Sequence, residues 1–293
     1  LSTVNNIARC NTVLAHLDKV DDSSLRAQFE GEVLFIRAYH YFNLVRLFGP
    51  VFIITERISA AEAKQRQRSS VEAVYTLIRA DLQTAADLLP DTYKDSDLGR
   101  ATSWAAKGLL AKVRITQGEW DQTTADLLKD IIDHGGFDLQ DSYADVFSTA
   151  NELNSEILFT IRYTGGGLGL GSPFANYFAP LQSGAYVVNG SGMGYNYPTD
   201  DLVSAYEKGD ARRDVSLALN YKGLNDSIVD RRYVKKYLCP VVLKNDGDVD
   251  WPILRYADIL LLYAEVLNES GSTDDALLYL NKVRQRAQLN ALT

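Results

Sequence analysis

Apolar residues recur along this chain at helical spacing, and the pattern breaks in one long stretch near the middle. From Leu1 to about Val20, the positions Val4, Ile7, Leu14 and Leu17 share a stripe, the mark of a helix with one face on a core. The polar turn Asp21-Asp22-Ser23-Ser24 separates it from Arg26–Val51, RAQFEGEVLFIRAYHYFNLVRLFGPV. That run is apolar on nearly every side, with Arg37 and Arg46 set into it. Such a helix has to be covered on several sides by other helices. Gly49-Pro50 stops it, a helix end followed by a residue that cannot continue one. Further on, Val71, Tyr75, Ile78, Leu82, Ala85 and Leu89 form another stripe that Pro90 ends, and Ser69 with Glu72 predicts a capping box at its start.

Two later regions resemble each other. One runs from Trp104 through AAKGLLAKVRITQGEWDQTTADLLKDIID, the other from Tyr256 through ADILLLYAEVLNESGSTDDALLYLNKVRQRA. Each predicts a helix rich in small residues, a turn at Gly118 or Gly271, and a second amphipathic helix with Ala125 or Ala276. This is the grammar of tetratricopeptide (TPR) units, in which small residues let paired helices approach closely. The spacing after the glycine differs between the copies, so the repeat is degenerate. In the second copy, Arg255, Tyr256, Asp258 and Glu265 stand beside Ile259, Leu260, Leu261 and Leu262. Charges in such surroundings have to be paired, which predicts a structural role.

Between the copies the grammar changes. Ile157, Phe159, Ile161 and Tyr163 alternate with Leu158, Thr160 and Arg162, which predicts a short strand. Glycine then recurs nine times from Gly165 to Gly194, excluding a continuous helix there. A short helix is predicted from Thr199 or Asp200, and one or two strands within Tyr221–Val242. The fold class is therefore mainly α: TPR-like helix pairs (1–134 and 252–293) in a curved superhelical scaffold, with a loop-rich insert containing short strands (135–251), all in a single domain of residues 1–293. Long excursions out of a helical scaffold commonly carry function.

Composition narrows the function. A formal net charge of −8 argues against nucleic acid, which needs clustered lysine and arginine. The one dense basic cluster, Lys64–Arg68, falls in a loop-like connector and reads as a solvated face. Cys10 and Cys239 match no zinc spacing and read as unpaired thiols. No apolar run reaches the roughly 20 residues that span a bilayer. His16, His40 and His134 form no metal motif, and no nucleophile elbow or phosphate-binding loop is present. Asp200 and Asp201 read as helix N-terminal residues rather than an acid/base pair. The run Asn245-Asp246-Gly247-Asp248-Val249-Asp250 could offer calcium the oxygens of Asp246, Asp248 and Asp250. It lacks the EF-hand spacing and closing glutamate, so no metal or other cofactor is expected, a structural calcium ion being the weak exception.

The glycine-rich excursion carries Phe174, Tyr177, Phe178, Tyr186, Tyr195 and Tyr197, with Asn176, Gln182, Asn189 and Asn196 between them. Flat rings beside amides suit a carbohydrate, whose apolar faces stack while its hydroxyls pair with the amides. The candidate ligand-binding residues are Tyr177, Tyr186, Tyr195, Asn196 and Tyr197, with no catalytic residue expected. The structural alternative is that the rings pin a floppy loop to the helices. Trp104 and Trp251 read as helix-entry residues in the core.

The wording of several segments resembles the SusD/RagB family. The R-A-x-x-Y-F-x-L-V-R-x-F-G-x-V run is similar to that family's central helix, and Arg9, Asn11 and Leu14 fit its early R-x-N-x-x-L core. RATSWAAKGLLAKVRITQGEWDQT, NSEILFTIRY and YPTDDLVSAYEKGDARRD resemble further blocks in the same order. DWPILRYADILLLYAEVLNESG resembles its P-x-x-R-Y-A-D-x-L-L-x-Y-A-E-A-L-N-E signature. The resemblance implies four TPR-like helix pairs and a glycan-binding lipoprotein on the Bacteroidetes outer membrane, facing outside. It implies capture of an oligosaccharide or polysaccharide without catalysis, for a SusC-like TonB-dependent transporter in nutrient uptake. The lipidated cysteine and the family's closing E-R-R-x-E-L-x-F-E-G-x-R-W block do not occur in this sequence. The expectation is a chain trimmed at both ends whose lipid anchor is absent from it. Two other classes stay open: an α-helical glycoside hydrolase or lyase, and a TPR-type protein–protein interaction scaffold.

Overall fold

Helix α1 (Ser2–Leu14) lies against α2 (Ser23–Phe48), α2 against α4 (Val71–Leu88), α4 against α5 (Ser103–Thr116), and α5 against α6 (Gln122–His134). The computed structural model describes residues 2–293. Sequential neighbours packing in pairs give the TPR-like arrangement, and the fold is mainly α, as the apolar spacing predicts. Helix α2 is covered as its composition requires: Phe35, Ala38, Tyr41 and Phe42 are all buried. Within that core Arg37 grips Asp81 with two prongs, Nε to Oδ2 at 2.7 Å and Nη2 to Oδ1 at 2.8 Å. A third bond runs from Arg37 Nη1 to Asn11 Oδ1 at 3.0 Å, and Asn11 donates onward to the Ile54 carbonyl at 2.8 Å. A charge this deep is tolerated only with such partners.

Caps fall close to the predicted places. Asp22 Oδ1 accepts from the Ser24 and Leu25 amides at the start of α2, and Gly49 ends it with φ 64°. The α4 cap is Ser70 rather than Ser69, because the Ser69 amide is taken by the Val51 carbonyl at 2.9 Å and Ser70 Oγ is left to accept from Ala73. A complete capping box sits earlier instead, where Ser59 and Glu62 bond reciprocally and open the short α3 (Ala60–Gln65). The basic cluster from Lys64 therefore begins on a helix, not in a loop.

The chain divides into two compact units: Leu1–Gly136 with Glu265–Ser272, and Phe137–Ala264 with Thr273–Thr293. The division falls inside α10 (Tyr256–Glu269). In the second unit, β1 (Ile157–Ile161) pairs antiparallel with β6 (Trp251–Arg255), with irregular register around Phe159. Trp251 thus opens a strand rather than a helix; its half-buried ring packs on Phe174, whereas Trp104 is core as expected. The remaining elements here are small: α7 (Phe174–Phe178), α8 (Asp200–Ala205), α9 (Ala211–Ser216), and two ladders of two-residue strands. The ladders pair β2 (Leu217–Ala218) with β5 (Tyr233–Val234), and β3 (Tyr221–Lys222) with β4 (Ile228–Val229). The α8 cap is Thr199, whose Oγ1 accepts from Leu202.

The second degenerate repeat comprises α10 and α11 (Thr273–Arg286), turning at Gly271 with φ 84°, as α5 and α6 turn at Gly118 with φ 78°. Glycine alone adopts such a turn without strain. Arg255 and Glu265 are paired: Arg255 Nη1 to Glu156 at 2.6 Å, and Glu265 accepting from Trp120 Nε1 at 3.0 Å. Both thiols are free, and burial pushes Cys10 up to about 11.

Candidate functional site

The tyrosine-bearing excursion is irregular but not loosely held. Asn176, fully buried in α7, organises it: its Nδ2 donates to the Asn189 and Ser191 carbonyls at 2.8 and 2.9 Å, and its Oδ1 accepts from the Asn245 amide at 2.8 Å. The sequence reading counts Asn176 among the amides facing a sugar. The structure corrects this, since every bond from that side chain goes inward to backbone. Asn189 is exposed, and its Nδ2 donates to the Val242 carbonyl at 2.8 Å.

Residues 193–195 lie along α7 through three backbone bonds: Met193 to Asn176, Gly194 to Ala179 and Tyr195 to Tyr177, at 2.7, 2.9 and 2.8 Å. Gly192 makes this approach possible, because a Cβ there would stand 2.2 Å from the Ala179 carbonyl oxygen. Phe174 and Phe178 point into a block of rings. Phe174 stacks on Phe178 at 5.8 Å and meets Trp251 at 4.4 Å, and Tyr237 meets Trp251 at 4.8 Å. These two rings hold the loop down, as the structural alternative has it.

The candidate tyrosines behave differently. Tyr186, Tyr195 and Tyr197 are 54%, 53% and 43% exposed, and Tyr177 is half-buried. Tyr177 and Tyr195 come together with ring centres 5.4 Å apart. The Tyr197 hydroxyl accepts from the Leu181 amide at 3.2 Å, so its ring stands beside the same segment. Asn196 is exposed between Tyr195 and Tyr197, with φ 57°. The structure thus brings Tyr177 and Tyr195 together, with Tyr197 bonded to the neighbouring Leu181, and among the described residues no ring contact joins Tyr186 to them.

The acidic run does a specific job. Asp250 Oδ1 accepts from the Tyr163 amide at 2.9 Å, Asp248 Oδ1 from Gly165 at 2.8 Å, and Asp246 Oδ2 from Gly166 and Gly167 at 2.9 and 2.7 Å. Each step of two back along the acids is a step of two forward along the glycine run. Tyr163 and Gly165 are met at every second residue as along a strand edge, while Gly166 and Gly167, with φ 98° and 81°, turn two consecutive amides onto Asp246. Among the described residues no group of three or more acidic, histidine or cysteine side chains converges as a metal site. Burial raises the Asp250 carboxyl above its ordinary range. Its Oδ2, 3.6 Å from Arg162 Nε but accepting no hydrogen bond, and the Thr160 hydroxyl, also without a hydrogen-bond partner, belong to residues that line a cavity of about 20 Å³, room for one water.

A much larger groove, about 640 Å³, lies in the first unit among Val4, Ile7, Tyr41, Leu44, Phe52 and Ile58. The Tyr41 hydroxyl that faces this region is engaged by both the amide and the carbonyl of Ile54. Thr12, Glu56 and Arg57 also line it, but most of the lining is apolar, which suits a sugar less well than a face of rings and amides.

Comparison with known proteins places the chain. Residues 2–115 match a family described as "Starch-binding associating with outer membrane", and residues 241–293 match the SusD family. The chain belongs to the SusD family. It is 28% identical to SusD-like protein P25 of Formosa agariphila over 96% of this chain and 60% of that protein. A SusD-like protein of Bacteroides ovatus is 30% identical over 88% of this chain and 52% of its own length. The chain therefore spans between half and three-fifths of the curated relatives it matches. Among solved structures, a laminarin-binding SusD-like protein superposes with TM-score 0.86 at 27% identity, covering 99% of this chain and 70% of that one.

Proposed function

We propose that this chain captures an oligosaccharide without chemically changing it, for uptake by a partner TonB-dependent transporter at the outer membrane, outside face. The observation that carries the binding half is the pair of exposed rings Tyr195 and Tyr197, with exposed Asn196 between them, on a loop whose path is fixed from beneath, and with the half-buried Tyr177 of α7 against Tyr195. A preset display of rings spares a ligand the entropy of ordering them. Tyr186, more exposed and set apart, extends the face if the ligand is long. Membership in the SusD family and likeness to a laminarin-binding relative support the same reading.

The non-catalytic half is supported by how the carboxylates of this region are spent. Asp246, Asp248 and Asp250 hold backbone amides, and a glycosidase needs two carboxyl groups facing each other across a bond. The transporter, the lipid anchor and the surface location are inferred from the family. A glycan array with purified protein tests capture: binding of a defined oligosaccharide, with no shortening of it over a long incubation, is the expected result. Release of a reducing end, abolished by changing one carboxylate, would replace this reading with a hydrolase or lyase. Co-purification of the full-length lipoprotein with a TonB-dependent transporter tests the partner.

A further inference from the structure

The second unit holds another cluster that the tyrosine face does not use. Glu156, with no exposed surface, accepts from two guanidinium groups, Arg255 Nη1 and Arg286 Nη1, each at 2.6 Å. One carboxylate cannot neutralise two arginines, and a third cation stands by. Lys236 Nζ lies 5.0 Å from the Tyr237 ring centre and 5.1 Å from that of Phe147, and Arg255 Cζ is 5.7 Å from the same Phe147 ring. Among the described residues Lys236 pairs with no carboxylate and donates to no acceptor. Arg286 Nε, buried, also has no acceptor.

Three rings wall the cluster. Tyr143 meets Phe147 edge to face at 5.2 Å, Phe147 meets Tyr237 at 5.7 Å, and Arg286 sits over Tyr143 at 5.2 Å. Ring faces attract a cation but carry no net charge, so they leave the excess uncompensated. This local surplus of positive charge stands in a chain whose formal net charge is −8. Burial, and then the neighbouring Arg255, hold the Lys236 ammonium below its ordinary value. Lys236 beside Arg255, whose only carboxylate partner Glu156 is shared with Arg286, costs stability that a fold dispensing with Lys236 would avoid. Lys236 and Arg255 are both only partly buried, so a ligand can reach them.

We infer that Lys236 and Arg255, over the rings of Phe147 and Tyr237, bind an oxyanion, the carboxylate or sulfate group of an acidic sugar. The charge argument gives the oxyanion by itself; the sugar rests on the capture reading above. Lysine supplies a point charge, Nη2 of Arg255, the outer guanidinium nitrogen not bonded to Glu156, supplies directed donors, and the rings offer a face for the sugar's apolar side.

The test is calorimetry at low salt with trigalacturonate, a sulfated galactotriose and neutral galactotriose, on the wild type, Lys236→Met and Lys236→Arg. At least one acidic probe should bind the wild type tenfold or more tighter than the neutral one, weakening as salt is added. Lys236→Met should lose that advantage and Lys236→Arg should keep it, while the two acidic arms tell carboxylate from sulfate. Without ligand, Lys236→Met should melt at or above the wild-type temperature, because it relieves Arg255. A lysine placed only to pack on rings would melt lower and leave binding unchanged, which overturns the site. Equal binding of acidic and neutral probes by the wild type also overturns it. Neutral glycans bound on the array with neither acidic probe taken would sink the oxyanion site and leave capture standing. Acidic binding that needs Lys236 but survives loss of all four tyrosines would keep the oxyanion site and remove the tyrosine face.

Discussion

In the helices up to His134, the fully buried side chains are mostly hydrocarbon: Phe35, Phe42, Ile78, Leu82, Leu109 and Leu128. Between Gly165 and Asp250, the side chains buried to the same degree include Ser172, Asn176 and Ser183. The first region is held by apolar area, each helix satisfying its own backbone and offering a greasy face. The second has little regular structure, so its backbone amides and carbonyls need partners from elsewhere, and Asn176, Asn189, Asp246, Asp248 and Asp250 supply them. A surface loop can be as determined in its path as a helix when side chains take the place of the ladder. That makes it a suitable platform for exposed rings.

The largest expected effect falls on the helical region. Asp81→Ala leaves Arg37 buried and unpaired, and breaking such a pair typically costs about 3–5 kcal/mol. Urea denaturation should show that loss as a lower midpoint; a smaller change than for any loop variant would break the contrast drawn here. Next comes Asn176→Ala, which strands two carbonyls and one amide on exposed or half-buried residues that water can reach, so each costs well below the figure for a fully buried unmet group, about 1–3 kcal/mol. Hydrogen exchange should then quicken at Asn245 and along 189–195 while α2 and α4 stay protected. Uniform quickening across both regions would mean the loop is not a separate cooperative element.

A subtler effect concerns Asp250. Its folded value is raised by burial, so the stability it contributes is full below the unfolded carboxylate range and is lost as pH climbs through the raised value. Asp250→Asn removes that loss. Its stability relative to wild type should therefore grow with pH across that window and level off above it, as read from melting temperature against pH. A flat difference from acid to neutral would show that Asp250 titrates alike in both states. The smallest effect on stability is expected from alanine at Tyr177, Tyr186, Tyr195 and Tyr197. Melting should stay near wild type while glycan binding weakens, and unchanged binding in all four would remove these rings from the site.

Much of the helical region is legible from sequence, because spacing alone reports which side chains share a face. The stripe from Tyr75 to Leu89, the stop at Gly49 and the glycine turns at 118 and 271 all follow from local rules. Where those rules slip, a distant backbone group is responsible: the Val51 carbonyl takes the Ser69 amide and moves the cap to Ser70. In the loop region nearly every deciding contact is of that kind. Nothing near Asn176 in sequence shows that its amide will face Asn245, and nothing near Glu156 shows that Arg255 and Arg286 will converge on it. The tyrosines are visible as a composition, but which of them meet is set by the crossing of residues 193–195 with α7. Lys236 gives no sequence signal at all, since a lone lysine among aromatics is ordinary.

The aspartates that hold residues 163–167 also bear on how this loop could be altered by transplantation. The segment's path is written some eighty positions downstream, in side chains that alternate in step with it. A glycine-rich loop moved alone into a related scaffold would arrive without the carboxylates that shape it. Both stretches have to travel as one cassette, and inserting a single residue between Asp246 and Asp250 would turn part of the comb to the opposite face. Specificity exchanged by recombination in this region should therefore come as paired blocks or not at all.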